Sequence, residues 1–195
     1  MYIAPGVSDK EWLDLDLDDE DSADWIKATE ILKKRIYARY LDAAKLLILD
    51  DEVREPIDRK YGFTILAICC LLMETIQAFK EGLIDTKGKS KRTVKNFLKK
   101  SPSFSNFFPD DDTAQFFYEH YRCGILHQAE VQGDSLVWSV GSLRGTVGTK
   151  QHVNRTEIFN KLKTEFDEYL ERLKDKKNIE LRKNFRTKMD FIARK

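Results

Sequence analysis

Between Phe116 and Glu130 the chain reads Phe-Phe-Tyr-Glu-His-Tyr-Arg-Cys-Gly-Ile-Leu-His-Gln-Ala-Glu. This one stretch gathers Arg122, Cys123, Gly124 and two of the three histidines, His120 and His127. An imidazole that titrates near neutrality moves protons, and a guanidinium that stays charged holds anions, so the stretch concentrates the chemistry of the chain. Asp110, Asp111, Asp112 and Thr113 supply negative charge and a capping oxygen just upstream. They predict a helix that begins near Asp112. Ala114, Phe117, Tyr121 and Ile125 then recur at helical spacing and predict the buried stripe. Phe116, His120, Cys123 and His127 form a second stripe beside it, and Tyr118 and Arg122 a third.

Arg122 and His127 are five positions apart, which at roughly 100° per residue separates them by about 140° around a straight helix. One regular helix is therefore not expected to aim both at one atom. Two copies of the helix crossing about a twofold axis would bring an arginine and a histidine from each chain to one cleft. Gly124 fits that picture, because a glycine within a helix costs about 1 kcal/mol against alanine and points to a close crossing or a bend.

The run Arg122-Cys123-Gly124-Ile125-Leu126-His127, in its aromatic-rich helical context, resembles the Arg-x4-6-His motif of HEPN domains. These are all-helical modules that include many metal-independent ribonucleases, and the flanking residues are similar to HEPN proteins of bacterial defence systems. The resemblance covers about residues 25–174. It implies a mainly α, HEPN-like helical bundle and an endoribonuclease in a defence or toxin role, with a composite site at a homodimer interface. In that reading Arg122 holds the scissile phosphate and His127 is the general base or acid for a 2′-hydroxyl nucleophile, so that neither a metal nor another cofactor is required. His120 and Cys123 are supporting residues. The implied partners are RNA, a second copy, and an antitoxin or other defence-system protein. The sequence departs from the family pattern in two places. Cys123 stands where many active members carry a polar Asn, Asp or His, and Ala129 stands where a branch paired with nucleotidyltransferase antitoxins carries Tyr. The competing expectation is a non-catalytic module that keeps the fold and binds RNA, a nucleotide or a protein.

The elements that would position these groups follow from periodicity. A helix is expected from Ser22 or Asp24 to about Asp50, with Trp25, Leu32, Ile36, Tyr40 and Ile48 on a broad apolar face. Tyr61–Phe79 is the next, and its unbroken apolar run from Ile65 to Met73 is too short to span a bilayer, which makes it the central core helix. Glu74 is the one acid there. If buried it needs a cation, and Arg122 is the partner expected; the alternative is an exposed position at the helix rim. Lysines and arginines crowd residues 87–100, and Lys89, Lys91 and Arg92 are candidate contacts to substrate phosphates, against the simpler reading as a solvated face. Leu136–Val140 and Gly145–Gly148 predict a β-hairpin within about 131–150, and residues 154–174 predict the closing helix.

The ends differ in charge. Residues 1–22 read as an acidic arm and 175–195 as a basic helix or tail, although the 34 Lys and Arg and 33 Asp and Glu leave a net charge of only +1. The alternating aspartates from Asp14 lack the glycine and glutamate of a calcium loop, with Asp19 and Trp25 in those places. Three cysteines make no disulfide framework, and the N-terminal residues lack the pattern of a secretory signal. The expectation is a cytoplasmic protein with no membrane partner.

Overall fold

The computed structural model describes residues 1–195. Its organising element is the helix with the longest apolar run. Elements are numbered in chain order: β1 (Tyr2–Ala4), β2 (Val7–Ser8), α1 (Asp9–Leu13), α2 (Asp24–Ile36), α3 (Asp42–Glu52), α4 (Gly62–Lys80), α5 (Ser90–Lys100), α6 (Pro102–Ser105), α7 (Asp111–Phe117), α8 (Gly124–Gln128), β3 (Ser135–Trp138), β4 (Arg144–Val147), β5 (Lys150–Asn154), α9 (Arg155–Lys174) and α10 (Ile179–Ala193). The chain is a mainly α-helical bundle with two small sheets. Helix α4 is long and apolar enough to cross a membrane, but more than half of that span is buried in the protein's own core. Ile65, Leu66, Cys69, Cys70, Leu72 and Met73 are wholly buried. Helices α3, α5, α9 and α10 pack around it.

Both chain ends join this core. Ser8 and Glu11 form a reciprocal capping box that starts α1. Trp12 then lands edge-on against Phe185 of α10, with ring centroids 5.5 Å apart, and its indole N–H donates to Asp190 at 2.8 Å. Arg182 of α10 lies over Trp25 and donates to the carbonyls of Leu173, Lys174 and Glu20. The apolar residues of the acidic segment and those of the basic segment thus belong to one hydrophobic cluster.

Two differences from the expected elements bear on the site. The first concerns helices α2 and α3, which are joined by a π-helical turn, Tyr37–Leu41, so the expected long helix carries a bulge. The second concerns the predicted hairpin. Strands β3 and β4 do not pair with each other; β5 lies between them, parallel to β3 and antiparallel to β4. The true hairpin is β4–β5, turning through Gly148 at φ +60°. Lys150-Gln151-His152-Val153-Asn154 is mostly polar and carries no strand signal, yet His152, Val153 and Asn154 are buried and His152 stacks on Trp138.

Asp51 and Arg155 join the start of α9 to the end of α3. They are 0% and 1% exposed and 2.8 Å apart, and Asp51 also accepts the backbone N–H groups of Lys60 and Tyr61. Removing one member of such a pair leaves an uncompensated buried charge. Asp51→Ala is therefore expected to lose about 3–5 kcal/mol of stability in chemical denaturation. A loss below about 1 kcal/mol would show that the pair is replaceable by water.

Candidate functional site

Asp110 accepts the backbone N–H of Thr113 at 2.8 Å and caps α7, which begins at Asp111, one residue before the expected position. Ala114, Phe117, Tyr121 and Ile125 are all buried, as the stripe requires. Between α7 and α8, however, Tyr118–Cys123 forms a second π-helical turn. Its i→i+5 pattern is wider than an α turn, so residues five apart come back toward the same side. Arg122 and His127 consequently meet within one chain, with Nη1 and Nε2 3.2 Å apart. This corrects the expectation from a straight helix, which needed two chains to bring the two groups together.

A guanidinium only donates, so His127 accepts through Nε2 and a neutral ring carries its proton on Nδ1. The other arm of Arg122 donates through Nη2 to Glu74 Oε2 at 2.9 Å, with both side chains 14% exposed. The central helix's acid thus pairs with Arg122 rather than sitting at an exposed rim. Ser90, the first residue of α5, donates to the same Glu74 oxygen at 2.6 Å. Burial alone would raise the Glu74 carboxyl, but hydrogen bonds from Ser90, Thr86 and Arg122 outweigh it and hold the group below its ordinary 4.5. Burial would likewise lower Arg122, and the hydrogen bond and charge of Glu74 reverse that. Arg122 also lies 5.4 Å from the centre of the Tyr118 ring, and its Nε is buried without a partner.

The cleft beside this pair has a volume of about 400 Å³ and is lined by Glu74, Asp85, Thr86, Arg122, Leu126 and Lys188, among others. His127 is solvent-exposed and meets the cleft through Arg122 rather than lining it. Lys188 comes from α10, where burial lowers its ammonium and where it donates to the carbonyl of Leu83 at 2.7 Å. Sequence spacing had no means of bringing Lys188 here, since more than sixty residues separate it from Arg122. Ser90 and Thr86 carried only a turn signal around Gly88.

The remaining candidates divide. Cys123 is a free, partly buried thiol next to Arg122, and its sulfur makes no hydrogen bond. His120 does not join the cleft: it stacks on Phe116 at 3.9 Å, and its Nδ1 is 2.8 Å from the Gln132 carbonyl. Its place is to pin the loop that returns from α8. Gly124 is explained by the same loop, because a Cβ there would lie 2.4 Å from the Glu130 carbonyl oxygen. The close approach anticipated at Gly124 is thus made by the chain's own return after Ala129, which caps α8 at φ +55°. Lys91 pairs with Glu119 at 3.0 Å and Arg92 with Glu81 at 3.3 Å, both exposed, while the Lys89 side chain is exposed next to Ser90. Lys95 and Lys99 both reach Asp111, so carboxylates face much of the basic helix.

A carboxylate whose folded pKa lies below its unfolded one stabilises the fold fully above the unfolded value and loses that contribution as pH falls through the folded value. Thermal midpoints of the native chain and Glu74→Gln should therefore differ most above pH 4.5 and converge in acid. A gap of constant size from neutral to acid pH would mean that the Glu74 charge is not what Arg122 and Ser90 hold. Compared with known proteins, the chain matches no protein-family model, no curated protein and no solved structure.

Proposed function

We propose that the chain is a HEPN-like, metal-independent endoribonuclease in which Arg122 and His127 act as one unit. The observation that carries this reading is their 3.2 Å contact, with Arg122 lining an open cleft and anchored from behind by Glu74. A scissile phosphate would draw Arg122 Nη1 away from His127 and free the imidazole Nε2. That nitrogen then takes the proton of the adjacent 2′-hydroxyl as the O2′–P bond forms. The P–O5′ bond breaks, and the departing 5′-oxygen takes its proton from solvent. The products are a 2′,3′-cyclic phosphate and a 5′-hydroxyl, and the planar cation neutralises the charge that builds on the phosphorus oxygens.

A homodimer remains part of the proposal. Leu71 and Leu126, 39% and 41% exposed, flank the cleft and would be covered by a second copy, although the Arg–His pair itself needs only one chain. The second reading is a non-catalytic RNA-binding module, favoured by Glu74 already balancing the charge of Arg122.

Purified protein incubated with mixed RNA in EDTA should produce fragments ending in 2′,3′-cyclic phosphate. His127→Ala should slow this by about 10²-fold or more, the usual loss for a general acid or base. RNA that is bound but stays intact would remove the enzyme reading and leave the binding module. Arg122→Lys keeps the charge but loses the fork between Glu74 and the substrate, so a loss of similar size is expected there. Mass measurement in solution tests the dimer separately.

A further inference from the structure

Gly62, at the start of α4, stands twelve residues before Glu74, roughly 18 Å along the helix. There a second cavity of about 370 Å³ opens, bounded by Arg59, Gly62, Val137, Trp138, Ser139 and Arg155, among others. None of its lining residues borders the Arg122 cleft.

Its charge is unbalanced. Arg59 and Arg155 both border it. The Arg155 guanidinium is buried on Asp51, and Asp51 is fully engaged by Arg155 and two backbone N–H groups. The neighbouring Arg54 is matched by Asp50 at 2.9 Å. Arg59 is half-buried and meets only neutral acceptors: the Ser139 hydroxyl at 2.8 Å, and the Ser139 and Arg54 carbonyls at 3.5 and 3.4 Å. It forms none of the chain's ion pairs. Gly62, the first residue of α4, borders the same cavity, while the Asp51 carboxylate holds the N–H groups just before it. An anion is the missing counterpart.

The lining also has an apolar part. Trp138 is held in place by His152, with centroids 4.7 Å apart and planes 22° from parallel, and Val137 and Val140 flank it. An unpaired guanidinium and a stacked aromatic ring lining one cavity match a ligand that carries both a phosphate and a planar ring. We propose that this cavity binds a mononucleotide, with its phosphate on Arg59 and its base along Trp138.

Isothermal titration of the full chain with AMP, GMP, CMP, UMP and inorganic phosphate tests this. At least one nucleotide should bind more tightly than inorganic phosphate. Arg59→Gln should weaken it about tenfold or more, the usual worth of a charged hydrogen bond, while a thermal unfolding midpoint near that of the native chain shows that the variant folds. Trp138→Leu should narrow the gap between nucleotide and inorganic phosphate, and Arg122→Gln should leave binding unchanged. Absence of binding by every probe overturns the proposal, as does nucleotide affinity that survives Arg59→Gln. Loss in Arg122→Gln instead would move the nucleotide to the other cleft, and equal affinity for phosphate and nucleotides would eliminate the role of Trp138. The RNA-cleavage assay reads a different pair of residues, so either proposal can fail without the other.

Discussion

A single carboxylate on an otherwise apolar helix governs how this molecule is assembled. Glu74 leaves α4 where most of its neighbours are buried, and a charge held away from water needs opposite charge and donors. Three segments answer it: the turn before α5 through Thr86, the start of α5 through Ser90, and the motif helix through Arg122. Their hydroxyls and guanidinium fix where each segment sits relative to the core. Once Nη2 of Arg122 is committed to Glu74, Nη1 projects to the exposed side, where His127 is within reach. The pair at the cleft is therefore a consequence of how the core acid is satisfied.

That arrangement also needs the helix to be irregular. The π turn over Tyr118–Cys123 brings Arg122 and His127 to one side while Phe117, Tyr121 and Ile125 stay buried. The chain then reverses at Ala129 and passes over Gly124, where only a hydrogen fits, and His120 fastens the returning strand at Gln132. The third histidine, His152, stacks against Trp138.

Much of this could be read from residue patterns, because burial leaves a periodic trace. The central helix, the apolar stripe of the motif helix, the Asn154 cap of α9 and the Glu74–Arg122 pairing all follow from spacing or from the cost of an unpaired charge. What escaped had no local trace. A π bulge is set by packing on both sides of a helix, and nothing in Tyr-Glu-His-Tyr-Arg-Cys announces it. The strand β5 is polar and is made a strand by its neighbours, so the two apolar stretches around it were paired with each other instead. Lys188 reaches the cleft only through the docking of α10, and Arg59 faces its cavity only because β3 packs beside the start of α4.

The central claim is that Glu74, Arg122 and His127 form one connected chain of contacts whose outer end is an imidazole that accepts from Arg122 at Nε2. Long-range nitrogen–proton NMR of the His127 ring reads this without any substrate. The account predicts that the neutral ring carries its proton on Nδ1 in the native chain, and that this preference is lost in Arg122→Gln. A ring protonated at Nε2, in the same proportion with and without Arg122, would contradict it.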